Sequence, residues 1–123
     1  MTTVLVIDDN EDIRALLRRV LEREGYSVSE ASDGMAGTRL YRSQPADVII
    51  TDIVMPDQEG IQTIMELLRD FPAAKIIAIS GGGTAISGET CLQIAKKLGA
   101  AYTFTKPLDL KGLLDAVCQL IES

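Results

Sequence analysis

The sequence predicts an α/β fold, (βα)₅, with a doubly wound parallel five-stranded sheet and helices on both faces. Short apolar runs, typical of strands buried on both faces, alternate five times with segments of helical periodicity. The connections between them are short, as in consecutive βα units. The chain has 123 residues, 46% of them hydrophobic, which suits one domain with one core. We therefore expect residues 1–123 to form a single domain.

The first half of the chain gives three predicted strands. Residues 4–7 form a continuous apolar run, and a helix with apolar residues every three or four positions follows until Gly25. Residues 27–31 predict a shorter, weaker strand, and a poorly patterned helix follows over about 34–43. The third strand, 47–51, is again strongly apolar.

The second half repeats this alternation. Residues 56–60 predict a loop before the third helix, and residues 75–79 predict the fourth strand. The fourth helix ends at Gly99, and the fifth strand covers 101–105. An amphipathic helix that begins near Leu110 completes the pattern.

Composition excludes several classes of function. The net charge of −6 disfavours nucleic-acid binding, which depends on clustered Lys and Arg. No apolar run approaches the roughly 20 residues of a membrane span, and the N-terminus lacks the features of a secretory signal. We therefore expect a cytoplasmic protein that binds neither membrane nor nucleic acid. The chain has no histidine, which removes His-based acid–base catalysis and His metal sites. Cys91 and Cys118 are expected to be buried, reduced thiols.

Polar residues follow four of the five predicted strands. Asp8 and Asp9 follow the first strand, Asp52 the third, Ser80 the fourth and Lys106 the fifth. In open α/β sheets, ligands bind beyond the carboxyl ends of the strands. The prediction therefore brings three carboxylates, one hydroxyl and one ammonium to the same rim of the sheet.

Each of these residues has an ordinary structural explanation when it is taken alone. Asp9 or Asn10 could cap the first helix, and Asp52 could be a loop acid. Ser80 could be a turn residue, and Lys106 a solvated charge. It is their joint placement at the strand ends that indicates a functional site.

The chemistry of this group indicates phosphoryl transfer assisted by a cation. Clustered carboxylates repel one another and raise each other's pKa, and Mg²⁺ binds to one or two carboxylates together with waters and phosphate oxygens. An Asp carboxylate can act as a nucleophile and form an aspartyl phosphate. Lys106 and Mg²⁺ would supply positive charge, and Ser80 would supply a hydroxyl donor.

These residues lie in a combination of motifs that resembles a known family. The motifs are Asp8-Asp9, the segment 52–56 (DIVMP) with Gly60, Ser80-Gly81 and Lys106-Pro107. Over essentially all 123 residues, the chain is similar to the receiver domains of two-component response regulators, such as single-domain chemotaxis regulators.

The resemblance implies a role for each acidic residue of the rim. Asp52 would be the phosphoacceptor. Asp9 and Asp52 would bind Mg²⁺ directly together with the backbone carbonyl of Val54, and Asp8 would act through a metal-bound water. Lys106 would pair with Asp52 and then with the phosphoryl oxygens.

The resemblance also implies a flavodoxin-like strand order of 2-1-3-4-5 and a set of switch residues. Ser80, Gly81 and Lys106 would bind the phosphoryl group and switch conformation, and the Lys106–Pro107 peptide would be cis. One departure is Thr103, because the family usually has an aromatic residue three positions before the lysine. A second is a longer connection that contains residues 81–88.

The tyrosine and phenylalanine beside Thr103 cannot simply replace that aromatic residue. Tyr102 and Phe104 flank Thr103, and strand alternation sends their side chains to the opposite face of the sheet.

The resemblance implies a signalling module rather than an enzyme. Because the chain has no histidine, the phosphoryl donor must be another molecule, which the resemblance identifies as a sensor histidine kinase or a histidine phosphotransfer protein. The output partner, or a second copy in a homodimer, would bind at the face of the fourth helix, fifth strand and fifth helix.

Two other functions are less well supported. A Mg²⁺-dependent phosphohydrolase with an Asp nucleophile usually needs a second acid two residues later, where this chain has Val54. A flavin or nucleotide carrier needs a phosphate-binding loop after the first strand, and Asp8-Asp9-Asn10 has the wrong charge for that role.

Overall fold

The computed structural model describes residues 2–53, 59–80, 88–106 and 108–122, with only the backbone described for 59 and 88–92. Within these ranges five strands alternate with five helices: β1 (Thr3–Ile7), α1 (Glu11–Arg23), β2 (Ser27–Ala31), α2 (Gly34–Ser43), β3 (Val48–Asp52), α3 (Glu59–Asp70), β4 (Ile76–Ser80), α4 (Gly88–Leu98), β5 (Tyr102–Thr105) and α5 (Leu110–Glu122). In the same ranges, no helix has both the length and the apolar character needed to cross a membrane.

The five strands form one parallel sheet in the order β2-β1-β3-β4-β5. The predicted fold class and strand order are therefore confirmed. In β3 and β4 every residue is buried, whereas only two of the five residues of β2 are. The position of β2 at the edge of the sheet explains its weak apolar pattern, because an edge strand needs fewer buried side chains.

Helices cover both faces of the sheet. Along β1, Val4 and Val6 face one side and Leu5 and Ile7 face the other, as the alternation of a strand requires. The first side packs against α1 and α5 through Leu17, Leu21, Leu113, Ala116, Val117 and Leu120. The second side packs against α2, α3 and α4 through Tyr41, Ile64, Leu67 and Ala95.

Asn10 is the residue that caps α1. Its side-chain oxygen accepts hydrogen bonds from the backbone N–H groups of Asp12 (2.9 Å) and Ile13 (3.2 Å), which have no partner within the helix. Of the two capping alternatives that the sequence leaves open, the structure therefore selects Asn10. The side chain of Asp9 is not used for capping.

Some predicted boundaries were wrong by one or two residues. The predicted strand ranges 47–51 and 75–79 are each displaced by one residue, since β3 and β4 end at Asp52 and Ser80, and Gly60 lies in the first turn of α3 rather than in a loop. Cys118 is exposed, contrary to expectation. It follows the buried Val117, and one position along a helix turns a side chain about 100° away.

Candidate functional site

Two of the acidic residues lie at the ends of central strands and are almost fully buried. Asp8 directly follows β1, and its backbone N–H donates a 3.1 Å hydrogen bond to the carbonyl of Ala31 in the neighbouring strand β2. Asp52 ends β3, the other neighbour of β1. Their exposed fractions are 1% and 4%, so both carboxyl groups are held where water screens charge poorly.

The third carboxylate, Asp9, joins them on the exposed side. Asp8, Asp9 and Asp52 each offer a carboxylate oxygen, and these oxygens all lie within 4.8 Å of one another. Asp9 is exposed, so the group is open to solvent on one side. We call Asp8, Asp9, Asp52 and Lys106 the acidic rim.

The acidic rim suits Mg²⁺ in its chemistry. Carboxylate oxygens are ligands that Mg²⁺ prefers, and an open side allows the ion to keep several of its waters. Three carboxylates with one ammonium also carry excess negative charge, which a divalent cation would offset. Asp8, Asp9 and Asp52 are the described residues that could hold the ion.

Lys106 places its ammonium between the two buried carboxylates. Its Nζ lies 3.1 Å from Asp52 Oδ2 and 3.3 Å from Asp8 Oδ2. The resemblance implied a contact with Asp52, and the second contact, with Asp8, was not predicted. The backbone N–H of Lys106 donates to the carbonyl of Ser80 at 2.8 Å. This hydrogen bond holds the lysine against the end of β4.

The environment of the rim raises the pKa of both Asp8 and Lys106. Burial is the main cause for Asp8 and the charge of Asp52 adds to it, while a hydrogen bond from the Asn10 N–H and the contact with Lys106 act against the rise. Burial alone would lower the pKa of Lys106, but the charges of Asp52 and Asp8 and the hydrogen bonds to them together raise it. The charged form of Lys106 is therefore stabilised in the folded protein, whereas the charged form of Asp8 is destabilised.

Asn10 and Arg14, which both follow β1 in the chain, hold Asp8 in place. The backbone N–H of Asn10 donates to Asp8 Oδ1 at 2.8 Å, and Arg14 Nη1 donates to the backbone carbonyl of Asp8 at 2.7 Å. The contact made by Arg14 was not predicted from the sequence. A signal was present, since residue 14 lies one helical turn after the cap, on the side of α1 that faces the end of β1.

Gly60 allows α3 to begin directly against the end of β3. A Cβ at this position would overlap the Cα of Ile53 and the carbonyl oxygen of Asp52, both of them backbone atoms. Any side chain at residue 60 would therefore push the helix away from Asp52. This close approach explains why glycine belongs to the motif on which the resemblance depends.

The remaining predicted residues are less fully described. Ser80 is fully buried at the end of β4. Thr103 pairs with Ala78 in the sheet, while Tyr102 and Phe104 pack on the α1–α5 side, as strand alternation predicted. Val54, Gly81 and Pro107 lie outside the described residues, and so do the 81–87 segment and the cis peptide.

Comparison with known proteins gives one consistent family. The family model described as "Response regulator receiver domain" matches residues 4–118. The chain is 34% identical over 118 residues to the chemotaxis protein CheY of Halobacterium salinarum, covering 96% of this chain and 95% of the relative. A receiver domain of Clostridium thermocellum superimposes with a TM-score of 0.89 at 29% identity, covering 99% of this chain and 95% of that one.

A further solved structure bears on the acidic rim. The response regulator TrrA of Thermotoga maritima, solved in complex with Mg²⁺ and BeF, has a TM-score of 0.81 and 28% identity to this chain. The alignment covers 98% of this chain and 99% of TrrA.

Receiver domains are signalling modules of two-component systems. Phosphorylation and Mg²⁺ binding are general features of them, and they interact with histidine kinases or phosphotransfer proteins and with output domains. With its parallel 2-1-3-4-5 sheet and the family match over residues 4–118, this chain belongs to the family of response regulator receiver domains.

Proposed function

We propose that residues 1–123 form a single receiver domain that accepts a phosphoryl group on Asp52 in a Mg²⁺-dependent reaction and then controls an output partner. The main support is the position of the Lys106 ammonium, 3.1 Å from Asp52 and 3.3 Å from Asp8. A positive charge between two buried carboxylates, with Asp9 beside them, suits the transfer of an anionic group to one of these carboxylates.

In the proposed reaction, a carboxylate oxygen of Asp52 attacks the phosphorus atom of the donor. The bond between phosphorus and the donor's imidazole nitrogen breaks, and the imidazole leaves with the electron pair. Lys106 then contacts the phosphoryl oxygens and offsets their charge. We propose that Asp9, Asp52 and the backbone carbonyl of Val54 hold Mg²⁺ directly and that Asp8 holds it through a water. When bound, the ion supplies positive charge at the phosphoryl oxygens.

The proposed donor is a sensor histidine kinase or a histidine phosphotransfer protein. The chain has no histidine, so a phosphohistidine donor must lie outside residues 1–123. We propose that the transfer takes place in the cytoplasm, where ATP, the source of the kinase's phosphoryl group, is found.

Phosphorylation would add a charge of about −1.5 to −2 to the rim and shift an equilibrium between two conformations. We assign the phosphate-dependent movement to Ser80 and Gly81, next to Lys106 and a cis Lys106–Pro107 peptide. The proposed output surface is the α4–β5–α5 face, which would bind an output protein or domain, or a second copy of the chain.

The proposal is tested by labelling with acetyl phosphate and Mg²⁺, followed by intact-mass measurement. The wild-type protein should gain one phosphoryl group, and Asp52→Asn should gain none. Asp115→Asn is the matched control, because Asp115 is an exposed carboxylate on α5 and its loss should leave labelling unchanged. Undiminished labelling of Asp52→Asn would refute the assignment.

The same preparation tests whether the chain is a signalling module rather than an enzyme. With a large excess of a generic phosphate ester, a receiver should release at most about one equivalent of product before slow dephosphorylation. Sustained turnover that requires Asp52 would instead support the phosphohydrolase alternative.

A further inference from the structure

Arg14 joins the acidic rim to a carboxylate on the neighbouring edge strand. Its Nη1 donates to the backbone carbonyl of Asp8 at 2.7 Å, and its Nε donates to Glu30 Oε1 at 3.2 Å. The Arg14 side chain is only 16% exposed. One guanidinium therefore connects α1, β2 and the turn that follows β1.

Glu30 is itself held by a second arginine. Its other oxygen, Oε2, accepts a 2.5 Å hydrogen bond from Arg18 Nε. The backbone of β2 fixes its position as well, since Glu30 is paired with Val6 of β1. The Glu30 carboxylate is thus oriented from two sides, and it presents one oxygen to Arg14.

The contact with the Asp8 carbonyl matters most for Asp9. The carbonyl of Asp8 belongs to the planar peptide group that joins Asp8 to Asp9, so fixing its oxygen fixes the direction in which the chain enters Asp9. Among the described residues, no hydrogen bond or ion pair holds the Asp9 carboxylate. Its position therefore depends on the backbone to which it is attached.

From these contacts we infer that Arg14, oriented by Glu30, is a positioning residue that sets the Asp8–Asp9 peptide for binding a divalent cation. The inference rests on the proposed function and extends it to a residue outside the acidic rim. Arg14 does not touch the reacting atoms, because its hydrogen bonds go to the Asp8 backbone and to Glu30.

Positioning and simple electrostatics predict opposite results when Arg14 is removed. A nearby positive charge repels a cation, so if charge alone mattered, its loss would tighten Mg²⁺ binding. If Arg14 sets the peptide, its loss weakens binding, because outer contacts that orient metal ligands typically contribute tenfold or more to affinity. Direct measurement of Mg²⁺ binding by calorimetry separates the two.

We expect Arg14→Met to raise the Mg²⁺ dissociation constant about tenfold. Arg14→Lys, which keeps the charge but cannot reach both partners with a planar fork, should raise it by about threefold. Arg19→Met is the matched control: Arg19 lies on the same helix, and within the described residues it bonds to neither Asp8 nor Glu30. This control should leave affinity unchanged or slightly tighter. Unchanged or tighter binding in Arg14→Met would overturn the inference.

A second measurement does not depend on the metal. In EDTA, Arg14→Met should speed amide hydrogen exchange at Asn10, whose N–H is bonded to Asp8 Oδ1, while the amides of Ile77 and Ile79 in β4 should exchange as in the wild type. Equal exchange at Asn10 would show that Arg14 does not hold this turn. Faster exchange throughout β4 would show that Arg14 supports the whole fold, and would also contradict the inference.

These two readouts separate the inference from the function on which it rests. If the wild-type protein binds Mg²⁺ and is labelled at Asp52 while Arg14→Met binds equally well, only the inference fails. If the wild-type protein binds no Mg²⁺, the proposed function fails and the cation role of Arg14 fails with it. Exchange at Asn10 still decides whether Arg14 holds the turn.

Discussion

Two groups of charged side chains meet at the Asp8 backbone, and they differ in charge balance and burial. In the acidic rim, three carboxylates lie close together, and one ammonium contacts the two that are almost fully buried. In the second group, the α1–β2 cluster, Arg14 and Arg18 meet Glu22 and Glu30. The side chains of this cluster are between 16% and 49% exposed.

The two groups respond to their surroundings in opposite ways. Burial raises the pKa of Asp8 in the rim, whereas a hydrogen bond from Arg18 leads the causes that lower the pKa of Glu30 in the cluster. The same kind of side chain is thus destabilised as an anion in one place and stabilised in the other. The rim holds unbalanced charge that a ligand can offset, and the balanced cluster provides a fixed support beside it.

The largest expected effect comes from offsetting the charge of the rim. Mg²⁺ at about a hundred times its dissociation constant should stabilise the fold by about 2.7 kcal/mol, measured as a higher urea midpoint than in EDTA. Asp9→Ala should remove most of this gain and Asp8→Ala less of it, because only Asp9 is proposed to touch the ion directly. Glu22→Gln, in the cluster, should keep the full gain. If the urea midpoint of the wild-type protein did not change with Mg²⁺, the proposed difference between the acidic rim and the α1–β2 cluster would be wrong.

The second prediction concerns the metal-free rim. Because the pKa of Asp8 is raised in the folded protein, its ionised form weakens the fold at neutral pH. Asp8→Asn should therefore raise the free energy of unfolding in EDTA by about 1 kcal/mol, the typical size of a single-residue effect on stability, because burial no longer acts on a charged group. This gain should disappear in acid, where wild-type Asp8 is protonated. A lowered urea midpoint at neutral pH would show that the contact with Lys106 outweighs burial and repulsion.

The third prediction gives the opposite sign for the cluster. The pKa of Glu30 is lowered, so its ion pairs stabilise the fold at neutral pH, and this stabilisation is lost as the pH falls through the folded-state pKa. Glu30→Gln should lower the free energy of unfolding by about 0.5 to 1 kcal/mol at neutral pH. The two proteins should converge in acid. Urea titrations from neutral pH to acid measure the difference in free energy of unfolding between the wild type and Glu30→Gln. A difference that grows in acid would show that the ion pairs of Glu30 do not stabilise the fold.

The smallest effect is expected at the exposed end of the cluster. Arg18 and Glu22 form a 3.2 Å pair one helical turn apart, with side chains 38% and 49% exposed. Glu22→Gln should cost about 0.3 kcal/mol, and raising the salt concentration should abolish the difference. If Glu22→Gln lowered the free energy of unfolding as much as Glu30→Gln does, the stabilisation from these ion pairs would not depend on how buried they are.

The sequence predicted the strands well because a buried strand needs a continuous apolar run. Residues 4–7 and 47–51 identified β1 and β3 to within one residue, and the acidic residues at their ends followed from the parallel order. Contacts between side chain and backbone were harder to predict. The hydrogen bond from Arg14 to the Asp8 carbonyl leaves no periodic pattern, and the contact of Lys106 with Asp8 depends on the register of β5 against β4, in which Thr105 pairs with Ser80.

The error at Cys118 has a simple physical origin. Cysteine is an apolar residue that is often buried, but the core-facing side of α5 is already supplied by Leu113, Val117 and Leu120. Whether Cys118 is buried therefore depends on its position around α5 and not on its residue type.

The contact between Lys106 and Asp8 spans 98 residues of the chain. During synthesis from the N-terminus, all three carboxylates of the rim emerge long before the lysine that partly neutralises them, and β5 must join β4 before the ammonium reaches its place. A nascent or truncated chain that lacks β5 therefore carries the acidic residues without their counter-charge. The Lys106 ammonium can therefore reach Asp8 and Asp52 only after β5 has docked against β4.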